Sequence, residues 1–462
     1  MRYHLVTLGC AKNTADSRRL ERALRLARHA PVGTPAEAEL VIVNTCGFID
    51  AAKDESLATV RELDAARTPG QQLYVIGCLT AIADESVRAA VPGVDATFGA
   101  EAWDAIAASL PPADPTYDLP AAANSAAGAG AWQLGQPSAY LKISDGCDRP
   151  CTFCIIPTIK GRMHSESTER LLRESRWLAD GGARELVLGA QDSTAYGEDA
   201  GTPDSLATLL EQLAAGVPDV PWLRLMYAYP GRVTRRLAET MARLPNVVPY
   251  LDMPLQHGSD AVLRRMKRPS LRVSRQSIET MRTALPEVAL RTTFIVGFPG
   301  ETEAEFAELL AFVAEQQFDH VGAFTYSPQL GTPAATSGEQ VPAAVAAERY
   351  GRLMELAQEI SLARNRALVG RELDVLVESD APARAADGGP VVVGRTYRDA
   401  PEVDGLAFVR GTFAPGELVR ARVDGALPYD LLCSPAGSPP PGEAAPARGA
   451  ARRRQRLELR GR

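Results

Sequence analysis

Three short apolar runs in the first eighty residues, "YHLVTLGC", "ELVIVNTC" and "LYVIGC", each end on a cysteine and each lead into a helix-like segment. Runs of this length read as strands. After the first, "TADSRRLERALRLARHA" places Leu20, Ala23, Leu24 and Ala27 at helical spacing, and "DAAKDESLATVRELDAA" follows the second. Strands alternating with helices favour an open parallel α/β sheet covered by helices, here over residues 1–100. In such a sheet ligands sit outside the carboxyl ends of the strands. Cys10, Cys46 and Cys78 occupy those ends, so neighbouring strands would bring three thiols onto one surface.

Residues 101–137 change character. "LPPADPTYDLPAAANSAAGAGAWQLGQPS" is rich in Ala, Pro and Gly, has no period, and reads as a linker. A second βα series then runs through "AYLKISDGC", "RELVLGAQDST", "PWLRLMYAYP", "VPYLDMPLQHGSD", "LRTTFIVGFPGETE" and "HVGAFTYSPQLGTP". Six apolar strands, most of them separated by helix-length segments, suggest a partial (βα) barrel over 138–365. From 366 to 433 the strands become short and are divided by Gly and Pro, as in a small antiparallel β-barrel. The Arg-rich tail, 434–462, has the composition of a disordered, solvated arm.

A chain of 462 residues is too long for one core, and 45% hydrophobic with 23% charged residues is an ordinary soluble balance. The net charge of −7 argues against a surface that coats nucleic acid. The apolar run in "MRYHLVTLGCAKN" meets Gly and Lys too soon for a signal peptide, and no run reaches the roughly 18–20 residues of a membrane span. Seven cysteines, an odd number spread over a long chain, do not form a secreted disulfide framework. The economical reading is a cytoplasmic protein whose thiols serve metal or redox chemistry.

The stretch "SDGCDRPCTFCIIP" spends three of those thiols, Cys147, Cys151 and Cys154, within eight positions. A Cys-x3-Cys-x2-Cys loop after a strand has enough slack to wrap three irons of a cubane and leaves the fourth iron without a protein ligand. A structural zinc normally takes four ligands, and His164 lies ten residues past Cys154. For Cys10, Cys46 and Cys78 an iron–sulfur cluster with an open site competes with zinc, and with three small buried hydrophobes.

The spacing of Cys147, Cys151 and Cys154 and the preceding strand resemble the radical S-adenosylmethionine (SAM) superfamily. The whole chain apart from linker and arm is similar to the methylthiotransferases. That resemblance implies an amino-terminal domain with an auxiliary 4Fe–4S cluster on Cys10, Cys46 and Cys78. It also implies a radical SAM barrel with a 4Fe–4S cluster on Cys147, Cys151 and Cys154, and a carboxyl-terminal β-barrel called TRAM. Phe153 matches the aromatic that packs near the cofactor adenine. "LGAQDSTAYG" holds the second barrel strand, where many superfamily members carry Gly-Gly-Glu for the cofactor amino group. That run is absent here, and Gln191 or Asp192 stands in its place. "TFIVGFPGETE" resembles the family's later cofactor segment, with Gly297 and Gly300 either allowing close backbone approach or shaping a turn. His257 in "PLQHGSD" lies after a strand, where barrel sites form, and is a site candidate or a satisfied loop histidine. "MKRP", Met266 to Pro269, reads as a solvated basic turn that can touch substrate, and Cys433 as a buried or incidental thiol beyond the last strand.

Two branches of the family differ in substrate: an adenosine of transfer RNA, or an aspartate of small-subunit ribosomal protein S12. Between Ala367 and Cys433 there are seven arginines, no lysine and eleven acids, a net of −4. A barrel that grips RNA needs cations, whereas an acidic one suits a basic protein. "GRTYRDAPEVDG" and "YDLL" also resemble the ribosomal-protein branch. The resemblance implies that one SAM methylates a sulfur on the auxiliary cluster. A second, cleaved at the radical cluster, supplies the radical that takes hydrogen from the aspartate β-carbon. It further implies an electron donor such as flavodoxin or ferredoxin, while the sulfur donor stays unspecified. A reading from another class is a non-catalytic iron–sulfur redox or binding protein.

Overall fold

The computed structural model describes residues 1–100, 102–111, 136–202, 204–384 and 389–438. Most of the linker stretch and the arginine arm from 439 onward lie outside the described residues. In the amino-terminal sheet, strands β1 (Arg2–Thr7), β2 (Ala30–Pro31), β3 (Leu40–Thr45), β4 (Gln72–Gly77) and β5 (Ala96–Phe98) run parallel in the order β2-β1-β3-β4-β5. The three strands with cysteine ends are therefore neighbours. Register sets Thr7 beside Asn44 and Thr45 beside Gly77, so their carboxyl ends are level.

Helix α1 (Ala11–Leu26) turns the buried Leu20 and Leu24 onto this sheet, as its spacing requires. Its polar face is buried too: Asp16, Ser17, Arg18 and Glu21 are all at most 4% exposed. Ser17 bonds Thr7 and Asn44 of its own sheet and Glu21 pairs with Arg25, whereas Asp16 and Arg18 meet charges of the next domain. Helices α2 (Asp50–Ala65) and α3 (Cys78–Ala90) follow β3 and β4. The stretch read as linker from residue 101 opens instead with a helix, α4 (Trp103–Ser109). Trp103, Ile106 and Leu110 recur at helical spacing and join Leu20 and Leu24 in one cluster. Alanine-rich composition hid three anchors.

The central sheet is an open, all-parallel array. Its strands are β6 (Ser138–Lys142), β9 (Glu185–Gly189), β10 (Trp222–Leu225), β11 (Val247–Asp252), β12 (Ala289–Val296) and β13 (His320–Thr325), in the order β13-β12-β11-β10-β9-β6. Between β6 and β9 a small ribbon of β7 (Ser144–Asp145) and β8 (His164–Ser165) closes the cysteine loop, and helix α5 (Ile156–Lys160) lies inside that loop. Near-continuous apolar strands such as "ELVLG" fit a sheet covered on both faces.

The carboxyl-terminal strands β14 (Glu372–Arg384), β15 (Pro390–Thr396), β16 (Ala407–Arg410), β17 (Leu418–Ala426) and β18 (Leu431–Pro435) close into a barrel in the order β14-β15-β16-β18-β17. It is antiparallel except where β16 pairs with β18 in parallel. Cys433 lies within β18, not beyond the last strand, and is a 1% exposed core residue.

Each end of the central sheet is covered by a different domain. At the carboxyl ends, Asp16 of α1 meets Lys142 of β6, Asp145 of β7 and Lys160 of α5 in a square of four side chains, each 2–3% exposed. Lys142 bonds both acids, and Lys160 Nζ lies 3.0 Å from both. Beside it Arg18 pairs with Glu174, and Arg19 reaches Glu166, Glu174 and the carbonyl of Lys142. At the far edge Lys53 and Asp50 of α2 meet Gln329 and Ser327 after β13.

At the amino ends the small barrel is held by Glu185, which binds Arg224 of β10 at 2.6 Å and Arg395 of β15 at 2.5 Å. Leu376 and Ala400 pack with Val187, Trp222 and Tyr250 on the inner wall. "APEVDG" enters here: Asp404 accepts from Tyr250 Oη at 2.7 Å and pairs with Arg291 at 3.2 Å.

Removing one member of a buried charge group leaves its partners unneutralised, which costs about 3–5 kcal/mol. Asp16→Ala is expected to lower urea-unfolding stability by that amount, whereas Arg173→Ala, in an exposed helical pair, should change it by no more than about 0.5 kcal/mol. Burial alone would raise the pKa of Glu185, but Arg395 and Arg224 outweigh it and hold the carboxyl at about 2, below the ordinary 4.5. Its contribution is therefore complete above pH 4.5 and lost as pH falls toward about 2. Thermal melts of Glu185→Gln across that window should show a shallower acid decline than wild type.

Candidate active site

Two trios of thiols lie on the loops and helix starts between the amino-terminal sheet and the central strands. All seven cysteines of the chain are free thiols. In the first trio Cys10 caps α1, Cys46 follows β3 directly, and Cys78 opens α3. Asn13 ties these three strand ends together. Its amide donates to Leu8 O at 2.8 Å and Thr45 O at 3.1 Å, and its oxygen accepts from Cys78 Sγ at 3.7 Å. Gly9 adopts φ +92, and a Cβ there would lie 2.7 Å from Cys46 Cβ, so a side chain is excluded where the first and second thiol loops touch. Burial, then the nearby Cys10, pushes the Cys46 thiol up to about 11. Burial pushes Cys78 to about 12, with Lys160 opposing and Cys10 and Cys46 adding to the rise.

The second trio is carried by the loop after β7. Gly146, at φ +73, is required because a Cβ would strike Arg162 O at 2.1 Å. Thr152 fastens the loop to the "MKRP" turn, its N–H donating to Met266 O at 3.1 Å and its hydroxyl to Arg265 O at 2.9 Å. Burial, then the charges of Cys151 and Cys147, holds Cys154 near 12.

The two trios meet through Cys78, which packs against Ile155 and Ile159; Ile155 is the residue after Cys154. Among the described residues no three His, Cys, Asp or Glu side chains close on a single metal ion. Three thiols without a clustered histidine are a donor set that suits an iron–sulfur cluster. Three thiols per site match a cluster with one corner left to a non-protein ligand.

Phe153 lies edge-on to Phe298, centroids 6.5 Å apart, and Phe298 meets Tyr326 in a second edge-on contact at 5.3 Å. Gln191 donates to Asp145 Oδ1 at 2.6 Å, which fixes the amide so that Oε1, buried, has no hydrogen-bond partner. Asp192 is occupied: it pairs with Arg149 at 2.7 Å and caps the turn at Thr194. At Gly297 and Gly300, both at φ +73, the Cβ space is filled by Ala346 and Glu339, so the packing of the turn itself demands glycine. His257 is fully buried, accepting from Ser259 N–H on Nδ1 and facing Glu301 Oε2 from Nε2 at 3.2 Å. Glu301 in turn accepts from the N–H of Gly297 and binds Arg349, so His257 supports the turn that carries Phe298.

Sequence reasoning missed three residues. Arg268 of "MKRP" is no solvated basic residue: it donates to Cys151 Sγ at 3.8 Å and lies 4.2 Å over the Tyr229 ring. Lys12 sits 3.7 Å over the ring of Tyr227. Lys142, a charge inside an apolar strand, was the readable sign of a buried pair.

A Cys-x3-Cys-x2-Cys loop at the mouth of an open parallel half-barrel, together with a second thiol trio, defines a radical SAM enzyme with an auxiliary centre. Residues 141–313 match the radical SAM superfamily, residues 2–99 match uncharacterized protein family UPF0004, and residues 369–435 match the TRAM domain. The ribosomal protein uS12 methylthiotransferase RimO of Roseiflexus sp. (strain RS-1) is 46% identical over 457 residues, covering 93% of this chain and 96% of that protein. Its counterpart from Chloroflexus aurantiacus is 44% identical over 456 residues, covering 93% and 99%. The chain belongs to this RimO family of methylthiotransferases. Its fold is shared with the radical SAM methyltransferase TsrM of Kitasatospora setae, at TM-score 0.55 and 13% identity over 72% of this chain and 77% of that one.

In metal-free protein at pH 8, a short iodoacetamide pulse read by peptide mass spectrometry should label the exposed Cys10 well before the buried Cys46, Cys78 and Cys433.

Proposed function

We propose that this protein adds a methylthio group to the β-carbon of an aspartate in ribosomal protein S12. In this reading Cys147, Cys151 and Cys154 hold one 4Fe–4S cluster and Cys10, Cys46 and Cys78 hold the other. The observation that supports the reading is the packing of Cys78, from one trio, on Ile155 and Ile159, of which Ile155 directly follows Cys154 of the other. When bound, the clusters and SAM would supply radical generation and the methyl group, with the sulfur donor left unspecified.

The chain's own residues position and enclose. Three thiolates in each trio leave one corner of each cluster for a non-protein ligand. The unpartnered Oε1 of Gln191 offers an acceptor for the cofactor amino group, taking the place of the missing Gly-Gly-Glu run. Phe153, fixed edge-on by Phe298, offers a face for the adenine. The square of Asp16, Lys142, Asp145 and Lys160 locks the amino-terminal sheet over the strand ends and excludes water from a radical reaction. Hydrogen-atom transfer requires no side-chain base. His257 is fully buried, its Nδ1 accepting from Ser259 N–H.

The domains are taken as 1–100, 138–365 and 366–433. A flavodoxin or ferredoxin-type protein would deliver the electrons, and the cytoplasm, where ribosomal proteins are made, is the site of action. Among the described residues no helix is long and apolar enough to cross a membrane.

Replacing Cys147, Cys151 and Cys154 together by Ala should abolish deoxyadenosine release after dithionite reduction and leave about half the iron, one cluster of two. Replacing Cys10, Cys46 and Cys78 should preserve that release and stop sulfur insertion; methylthiolation retained by this variant overturns the auxiliary role. Mass spectrometry of S12 and transfer RNA from a deletion strain should show the modification missing from S12 alone.

A further inference from the structure

Lys12 lies in the first turn of α1, two residues after Cys10, and its ammonium is 3.7 Å from the centroid of the Tyr227 ring. Among the described residues no carboxylate comes within ion-pair distance of it, although the interface around it is crowded with paired charges. Asp145 is held by Lys142 and Lys160, and Asp252 by Arg291 at 3.0 Å. Lys12 as a residue is of intermediate exposure.

Its aromatic support is built at a cost. Tyr227 takes φ +63, a left-handed conformation that strains any bulky residue. The ring lies against Gly189 at the end of β9, where a Cβ would come within 3.3 Å of Cδ2 and Cε2. A strained backbone, a glycine cradle and a cation–π contact together aim one ammonium at the carboxyl ends of β9 and β10. The loop that carries Cys147 follows the neighbouring strand β6 and the short β7, and Lys12 itself lies two residues from Cys10.

We propose that Lys12 receives the side-chain carboxylate of the target aspartate, with Tyr227 as the residue that positions it. The proposal rests on the reading of the substrate as a protein aspartate. A carboxylate is one bond, about 1.5 Å, from the β-carbon. Fixing it therefore fixes the carbon from which hydrogen is taken and to which sulfur is added. The same contact separates aspartate from asparagine, since the neutral amide leaves the ammonium without a counter-charge.

The test uses protein reconstituted with both clusters and recombinant S12 carrying either Asp or Asn at the modified position, with binding read by fluorescence anisotropy. A charge-assisted contact of this kind corresponds to about a 10- to 100-fold preference. Wild type should prefer the Asp form by that factor, Lys12→Met should bring the ratio close to one, and Lys12→Arg should keep most of it. Iron content, measured alongside, reports intact cluster sites. A Lys12→Met protein that keeps the full Asp-over-Asn ratio overturns the proposal, and so does Lys12→Arg falling to the level of Lys12→Met while its iron is intact. Wild type that modifies neither form removes the substrate reading itself and the proposal with it, an outcome distinguishable because it appears without any substitution.

Discussion

Four charges removed from water decide how this molecule is put together. Asp16 from the first helix and Asp145, Lys142 and Lys160 from the central domain form a closed square with no net charge. Desolvating four ions is expensive, and the loss is recovered only when all of them are paired in good geometry. A small slide of one domain over the other would strand a buried charge, so the square selects a single docking pose rather than adding much stability. Lys160 lies on the short helix between the radical-site thiols and the ribbon that closes their loop, and it also borders Cys78. The interaction that docks the domains is thereby the one that aligns the two thiol trios.

The opposite end of the half-barrel follows the same logic. Glu185 is shared by two fully buried arginines, one from its own sheet and one from the small barrel. Asp404 bridges Tyr250 and Arg291. This changes the meaning of the small barrel's acidity. Asp399 bonds Thr396, Glu378 pairs with Arg395, Asp424 with Arg422, and Glu372 and Asp374 with Arg420. Several of the eleven acids therefore serve the fold, so their number alone does not identify a partner. The assignment to the ribosomal-protein branch stands on the similarity of the whole chain instead.

Much of the architecture was legible because its signals are local. Apolar runs of four to eight residues marked β1, β3 and β4 and the six central strands, and a cysteine at each of the first three ends marked the auxiliary trio. What escaped was non-local. Helical periodicity explains the Leu20 and Leu24 face of α1 but says nothing of Asp16 and Arg18, buried against charges of another domain. Arg268 reaches Cys151 across more than a hundred residues, and no spacing rule connects them. Lys12 stood in plain view in "GCAKN", yet only the fold brings Tyr227 beneath it.

The account turns on both trios opening into one chamber. The most direct measurement is electron paramagnetic resonance on anaerobically reconstituted, dithionite-reduced protein, compared with the two triple-cysteine variants that each keep one centre. Spin coupling that broadens the wild-type spectrum beyond the sum of the two single-centre spectra is the expected result. A wild-type spectrum that is the simple sum of the two would place the centres too far apart to serve one substrate and would contradict the account.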